Sequence, residues 1–76
     1  MAQWKEVKDF SELEGAEVLL RESCDYGEKV CHYAGRIYRR GFGIDNFGLD
    51  SAHGTMGLSP EVCTYHYLRI SDIKFR

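Results

Sequence analysis

The chain has 76 residues, 43% of them hydrophobic and 29% charged, with a net charge of −2. That length supports one domain, residues 1–76, burying only about 60% of the surface its unfolded chain exposes. Neither a second domain nor a large enclosed active site is expected, and the balance of apolar and charged residues is that of a globular rather than a disordered or fibrous protein. The longest uninterrupted apolar run is Val18-Leu19-Leu20, far short of the roughly 20 residues of a membrane-spanning helix. No charged-then-apolar leader opens the sequence, so no membrane contact is expected and the cytoplasm is the default location.

Trp4-Lys5-Glu6-Val7 has a spacing that does not decide between strand and turn. Asp9-Phe10-Ser11-Glu12-Leu13-Glu14-Gly15 has the form of a capping box, Asp9 with Glu12, ending at a glycine suited to a left-handed C-terminal position; it predicts one short helical turn. Glu17–Glu22 reads as a strand around Val18, Leu19 and Leu20, and Ser23–Lys29 as a hairpin connection rich in turn formers. Val30–Arg40 is the next strand, with Cys31, Tyr33, Gly35 and Ile37 on one face and His32, Arg36 and Tyr38 on the other. Phe42–Leu49 is a third strand, whose glycines suggest a bulge or bend. Residues 50 to 61 are expected to form a long loop marked by Gly54, Gly57 and Pro60. A fourth strand, Val62–Ile70, alternates Val62, Thr64, His66, Leu68 and Ile70 with Cys63, Tyr65, Tyr67 and Arg69. Ser71-Asp72 then makes a tight turn before a short closing strand, Ile73-Lys74-Phe75.

Five short strands with one helical turn predict a mainly β, five-stranded small barrel, because closure removes the unpaired edges that promote aggregation. Trp4 and Phe75, near the two ends, are expected to plug it. The order Leu13-Glu14-Gly15-x-x-Val18, Tyr33-Ala34-Gly35-Arg36-Ile37, then Tyr67-Leu68-Arg69-Ile70-Ser71-Asp72-Ile73 resembles SH3-like and Sm-like small barrels, which implies that fold. Of the Sm-like RNA-binding signature only Asp45-Asn46 is met, and the Arg-Gly partner before the last strand is missing, since Ile70 follows Arg69. RNA binding is thus implied only weakly.

Three cysteines, Cys24, Cys31 and Cys63, are an odd number and read as reduced, semi-buried small hydrophobes, with a Cys24–Cys31 bridge across the hairpin as the alternative. Gly41, Gly43 and Gly48 do not form a phosphate-binding fingerprint, since Asn46 stands where a glycine is required. Asp50, Ser51 and His53 contain the residue types of a hydrolase triad but are neighbours in one loop, where turn bonding is the expected role. Cys63 and His66 are three apart on a strand and point to opposite faces, so they cannot share a zinc ion. No catalytic residue, cofactor or metal is therefore assigned.

Charge is unevenly spread: residues 1–28 carry eight acids against three bases, residues 29–76 four acids against seven bases. Arg36, Arg39 and Arg40 can pair with Glu17, Glu22 or Asp72 across a sheet. They can equally join tyrosines in a contact surface, for which the expected residues are Tyr38, Arg39, Arg40, Tyr65, Tyr67 and Arg69, tyrosine and arginine being enriched where binding energy concentrates. The expectation is a non-enzymatic module engaging a protein partner, similar to the small accessory proteins of phages and mobile elements. The alternative is a barrel binding RNA or single-stranded DNA on its tyrosine and arginine surface, and an open edge strand would allow a homo-oligomer.

Overall fold

A computed structural model describes residues 3–24, 29–42 and 46–73. Its elements in chain order are β1 (Lys5–Glu6), the 3₁₀ turn η1 (Phe10–Leu13), β2 (Glu17–Cys24), β3 (Val30–Arg39), β4 (Phe47–Ser51), β5 (Gly54–Gly57), β6 (Cys63–Arg69) and the 3₁₀ turn η2 (Ile70–Asp72). The fold is mainly β, and all strand pairs are antiparallel in one six-stranded sheet of order β1-β6-β2-β3-β4-β5.

η1 starts where the capping chemistry places it. The Asp9 carboxylate accepts from the Ser11 backbone N–H at 2.9 Å and from the Ser11 hydroxyl at 2.7 Å, which replaces backbone bonds that a helix start lacks. These bonds hold the Asp9 carboxyl below its ordinary value. Gly15, at φ 84°, supplies the left-handed residue that ends the turn. Its N–H then donates to the Ile37 carbonyl at 2.8 Å, docking the turn on β3.

The long strands alternate as half-buried strands must. Val18 and Leu20 of β2, Ile37 of β3, Phe47 and Leu49 of β4, and Cys63 and Tyr65 of β6 face inward, where Phe10, Leu13 and Leu58 join them. In the sheet order β6 and β4 are three spacings apart, roughly 14 Å if the sheet were flat. Yet the Phe10 ring lies 6.2 Å from Phe47 and 5.3 Å from Tyr65, so the sheet curls around η1. Leu58 and Ser59 cross the same open side: the Leu58 N–H donates to the Phe47 carbonyl at 3.1 Å and the Ser59 N–H to the Tyr65 hydroxyl at 2.9 Å.

The structure departs from the five-stranded barrel in two ways. The segment expected as a long loop contains β5, a fourth-to-fifth-strand hairpin turning at Ala52-His53. Among the described residues the sheet also stays unclosed, with β1 and β5 at its edges. The turn and strand ends expected at 25–28 and 74–76 lie outside the described residues, as do Asp45 and Phe75; Ile73 itself follows η2 and belongs to no strand.

The cysteine reading is also corrected. Cys24 and Cys63 oppose each other directly in the β2–β6 pair, with Cα atoms 4.0 Å apart, and are joined by a disulfide; Cys31 is a free thiol. A lasting disulfide belongs to oxidising surroundings. Among the described residues no helix is long and apolar enough to cross a membrane.

Candidate functional site

The six residues expected to form one contact surface divide between the two sides of the sheet. Tyr65 is 2% exposed and belongs to the core. Its hydroxyl donates to Glu22 Oε2 at 2.6 Å and accepts from the Ser59 N–H; burial, then the bond to Glu22, push its phenol above the ordinary value near 10. Tyr67 follows it on the same side, half-buried against the core beside Val7 and Leu13. Arg39 pairs with Glu14 at 3.3 Å and stacks on Phe47 at 4.7 Å, and Arg69 reaches the Glu12 carbonyl at 3.5 Å, so both arginines bracket η1. Tyr65 is therefore removed from the contact surface, and a single patch of these six does not exist.

Tyr38 and Arg40 are on the other side. A side chain at Gly48 would strike the Tyr38 ring 2.8 Å away, and one at Gly57 would strike the Arg40 guanidinium. The two glycines face each other across β4 and β5, which lets Tyr38 and Arg40 lie flat against the hairpin. Between them and the far corner of the sheet stands the row Asp50–Arg36–Glu17, in which Arg36 pairs with Glu17 at 3.2 Å.

At that far corner the outer face carries a cluster the sequence reading missed. His32, Arg21, His66 and Glu6 oppose one another in successive strands β3, β2, β6 and β1. Trp4, expected as a core plug, instead lies over this row: the Arg21 guanidinium sits 4.6 Å from its ring and the His32 ring 5.9 Å away, edge to face. Such a cation–π stack orients both side chains at partial exposure. The next row along the strands, Ala34–Leu19–Leu68, extends the cluster with apolar surface that is only partly covered. Tyr38 is six residues from His32 along β3, roughly 20 Å at strand rise, so the two outer corners are separate surfaces.

Ser51 and His53 show the turn bonding expected of them, while Asp50 stands on β4 opposite Arg36. The Ser51 hydroxyl donates to the Gly54 carbonyl at 2.9 Å and accepts from the His53 N–H at 3.2 Å. Cys63 points inward while His66 lies in the outer row, the opposite faces expected for that pair.

No family model, no curated protein and no solved structure matches the chain.

Proposed function

We propose that the protein is a non-enzymatic binding module whose outer sheet face, centred on Trp4, Arg21 and His32 and bordered by His66, Leu19 and Leu68, engages a protein partner. The observation that supports this most is the Trp4–Arg21 stack at 4.6 Å. It holds the two side-chain types most enriched at binding hot spots on a face that contributes nothing to the core. Arg21 between two histidines, beside a patch of leucine and alanine, fits a partner segment that carries a carboxylate next to apolar side chains. The carboxylate would take the bidentate guanidinium bond, and the apolar side chains would cover the leucines. Tyr38 and Arg40 form a smaller outlying surface, while Tyr67, Arg39 and Arg69 serve the seat of η1. The small-barrel likeness and an origin among phage or mobile-element accessory proteins remain part of this proposal at the level of resemblance.

Affinity capture with and without nuclease tests it, comparing the wild type, a Trp4→Ala, Arg21→Glu variant and a Tyr38→Ala, Arg40→Glu variant, each verified as folded by circular dichroism. The expected result is a nuclease-resistant protein lost only from the Trp4, Arg21 variant. Capture of nucleic acid that nuclease removes, with steep salt dependence, would move the assignment to the nucleic-acid alternative. Equal capture by all three proteins would overturn the site.

A further inference from the structure

The inner face holds a second group of chemically active side chains at the end of β2 away from η2. Glu22 and Cys24 are two residues apart on β2 and so project from the same face. Cys63 stands directly across from Cys24, and Tyr65 directly across from Glu22. One carboxylate oxygen of Glu22 and the two sulfurs all lie within 4.8 Å of one another. Cys31 opposes Glu22 from the other side, on β3.

We propose that Glu22, Cys24 and Cys63 form a redox-gated site for a divalent cation of the zinc class, closed while the disulfide is intact and opened when it is reduced. The gating step is a two-electron exchange with a dithiol reductant. The Cys24–Cys63 S–S bond breaks, each sulfur takes one proton and one electron, and the dithiol leaves as its own cyclic disulfide. The cation then displaces both thiol protons and binds two thiolates and one carboxylate, leaving a fourth position for water.

Three observations carry the site. Tetrahedral zinc places two thiolate sulfurs about 3.8 Å apart and a sulfur and a carboxylate oxygen about 3.5 Å apart, as its bond lengths of about 2.3 and 2.0 Å require. The Glu22 oxygen and the two sulfurs lie within 4.8 Å of one another, so on this proposal side-chain rotation after the S–S bond opens brings them to those spacings. The ligand positions, two on one strand at spacing two and one on the neighbouring strand, are held by backbone pairing from both sides of β2. Finally, the Tyr65 hydroxyl donates to Glu22 Oε2 at 2.6 Å, which fixes the carboxylate as outer-sphere partners fix metal ligands, and a carboxylate keeps lone pairs for a cation beyond that bond. Cys31 is outside the ligand set, because it lies across β2 from Cys63, two strands away.

Cobalt(II) as the sole added metal tests the proposal through its spectrum, with the oxidised and the dithiol-reduced wild type compared after removal of the reductant. Reduced protein is expected to give a thiolate-to-cobalt charge-transfer band and the intense visible bands of a tetrahedral site, with two protons released per ion, whereas the oxidised protein gives neither. Cys31→Ser keeps the bands, Cys24→Ser and Cys63→Ser lose the tetrahedral signature, and Glu22→Gln weakens binding at least tenfold. Circular dichroism of each sample distinguishes loss of a ligand from loss of the fold; should reduction loosen the fold, cobalt is expected to restore it. Absence of the bands in reduced wild type, their presence in the oxidised protein, or their loss in Cys31→Ser would overturn the site. Unchanged affinity in Glu22→Gln would overturn the carboxylate's place in it.

Discussion

Leu19 and Leu20 are neighbours on one strand and have opposite surroundings. Leu20 is fully buried between Tyr33 of β3 and Tyr67 of β6, while Leu19, between Ala34 and Leu68, stays partly open to water. The same contrast runs over the whole sheet. Its inner face gathers Val18, Ile37, Leu49, Phe47 and Tyr65 around η1, while its outer face carries Trp4 stacked on Arg21 and His32, with His66 opposite Arg21 in the next strand. A strand period of two lets one backbone build a core on one side and leave the other side free for a partner. In a domain this small, function is then most readily placed on the face that stability does not use.

The largest test of that contrast is a pair of substitutions. Leu20→Ala is expected to lower the free energy of unfolding by about 2–5 kcal/mol, as burial without room for collapse dictates. Leu19→Ala should cost less than about 1 kcal/mol, and urea titration of both variants decides the matter. Equal costs would mean that something covers the outer face.

Next in size is the covalent link between β2 and β6. Opening the Cys24–Cys63 disulfide, which closes a sequence separation of 39 residues, should cost about 2–4 kcal/mol, read as a lower unfolding midpoint in reductant. Cys31→Ser in oxidised protein serves as the control and should leave the midpoint nearly unchanged.

Tyr65→Phe should cost about 1–3 kcal/mol, because Glu22 and the Ser59 N–H both lose a partner. It should also alter the alkaline limb of stability. Tyr65 in the folded protein holds its proton above the ordinary value of 10.0. Above that pH the unfolded chain loses a proton that the native state retains, and stability falls as pH rises. Tyr33, shifted in the same direction, keeps part of that slope, so unfolding measured against pH should be shallower in Tyr65→Phe but not flat. The smallest expected effect is on the outer face itself: Arg36→Ala breaks an exposed pair with Glu17 and should change stability by less than about 1 kcal/mol.

Much of this division was readable from the residues. The alternation of Cys31, Tyr33 and Ile37 against His32, Arg36 and Tyr38 gives the two faces of β3, and Asp9 with Gly15 marks η1 at both ends. β6 is different, since large side chains occur on both of its faces and alternation alone does not say which is inside. The choice depends on Tyr65 meeting Glu22 across the sheet, a contact 43 residues away in sequence. β5 was hidden because Gly-Thr-Met-Gly carries turn formers, and its pairing with β4 sets Gly57 opposite Gly48, leaving room for Arg40 at the first and Tyr38 at the second. The disulfide was hidden by an odd cysteine count, which says nothing of register. Trp4 was misplaced because β1 spans only Lys5–Glu6, too short for a period to show; its pairing with β6 carries the indole to the outer face beside Arg21.

The central claim is that the outer face, at Trp4, is where the partner sits. Trp4 is the chain's one tryptophan, so its emission reports that point alone when the captured partner, made free of tryptophan by substitution to phenylalanine, is titrated into the protein. Binding should shift the emission to shorter wavelength, and Arg21→Glu should abolish that shift at the same partner concentrations. A complex that forms with Trp4 emission unchanged would contradict the account and place the contact elsewhere on the molecule.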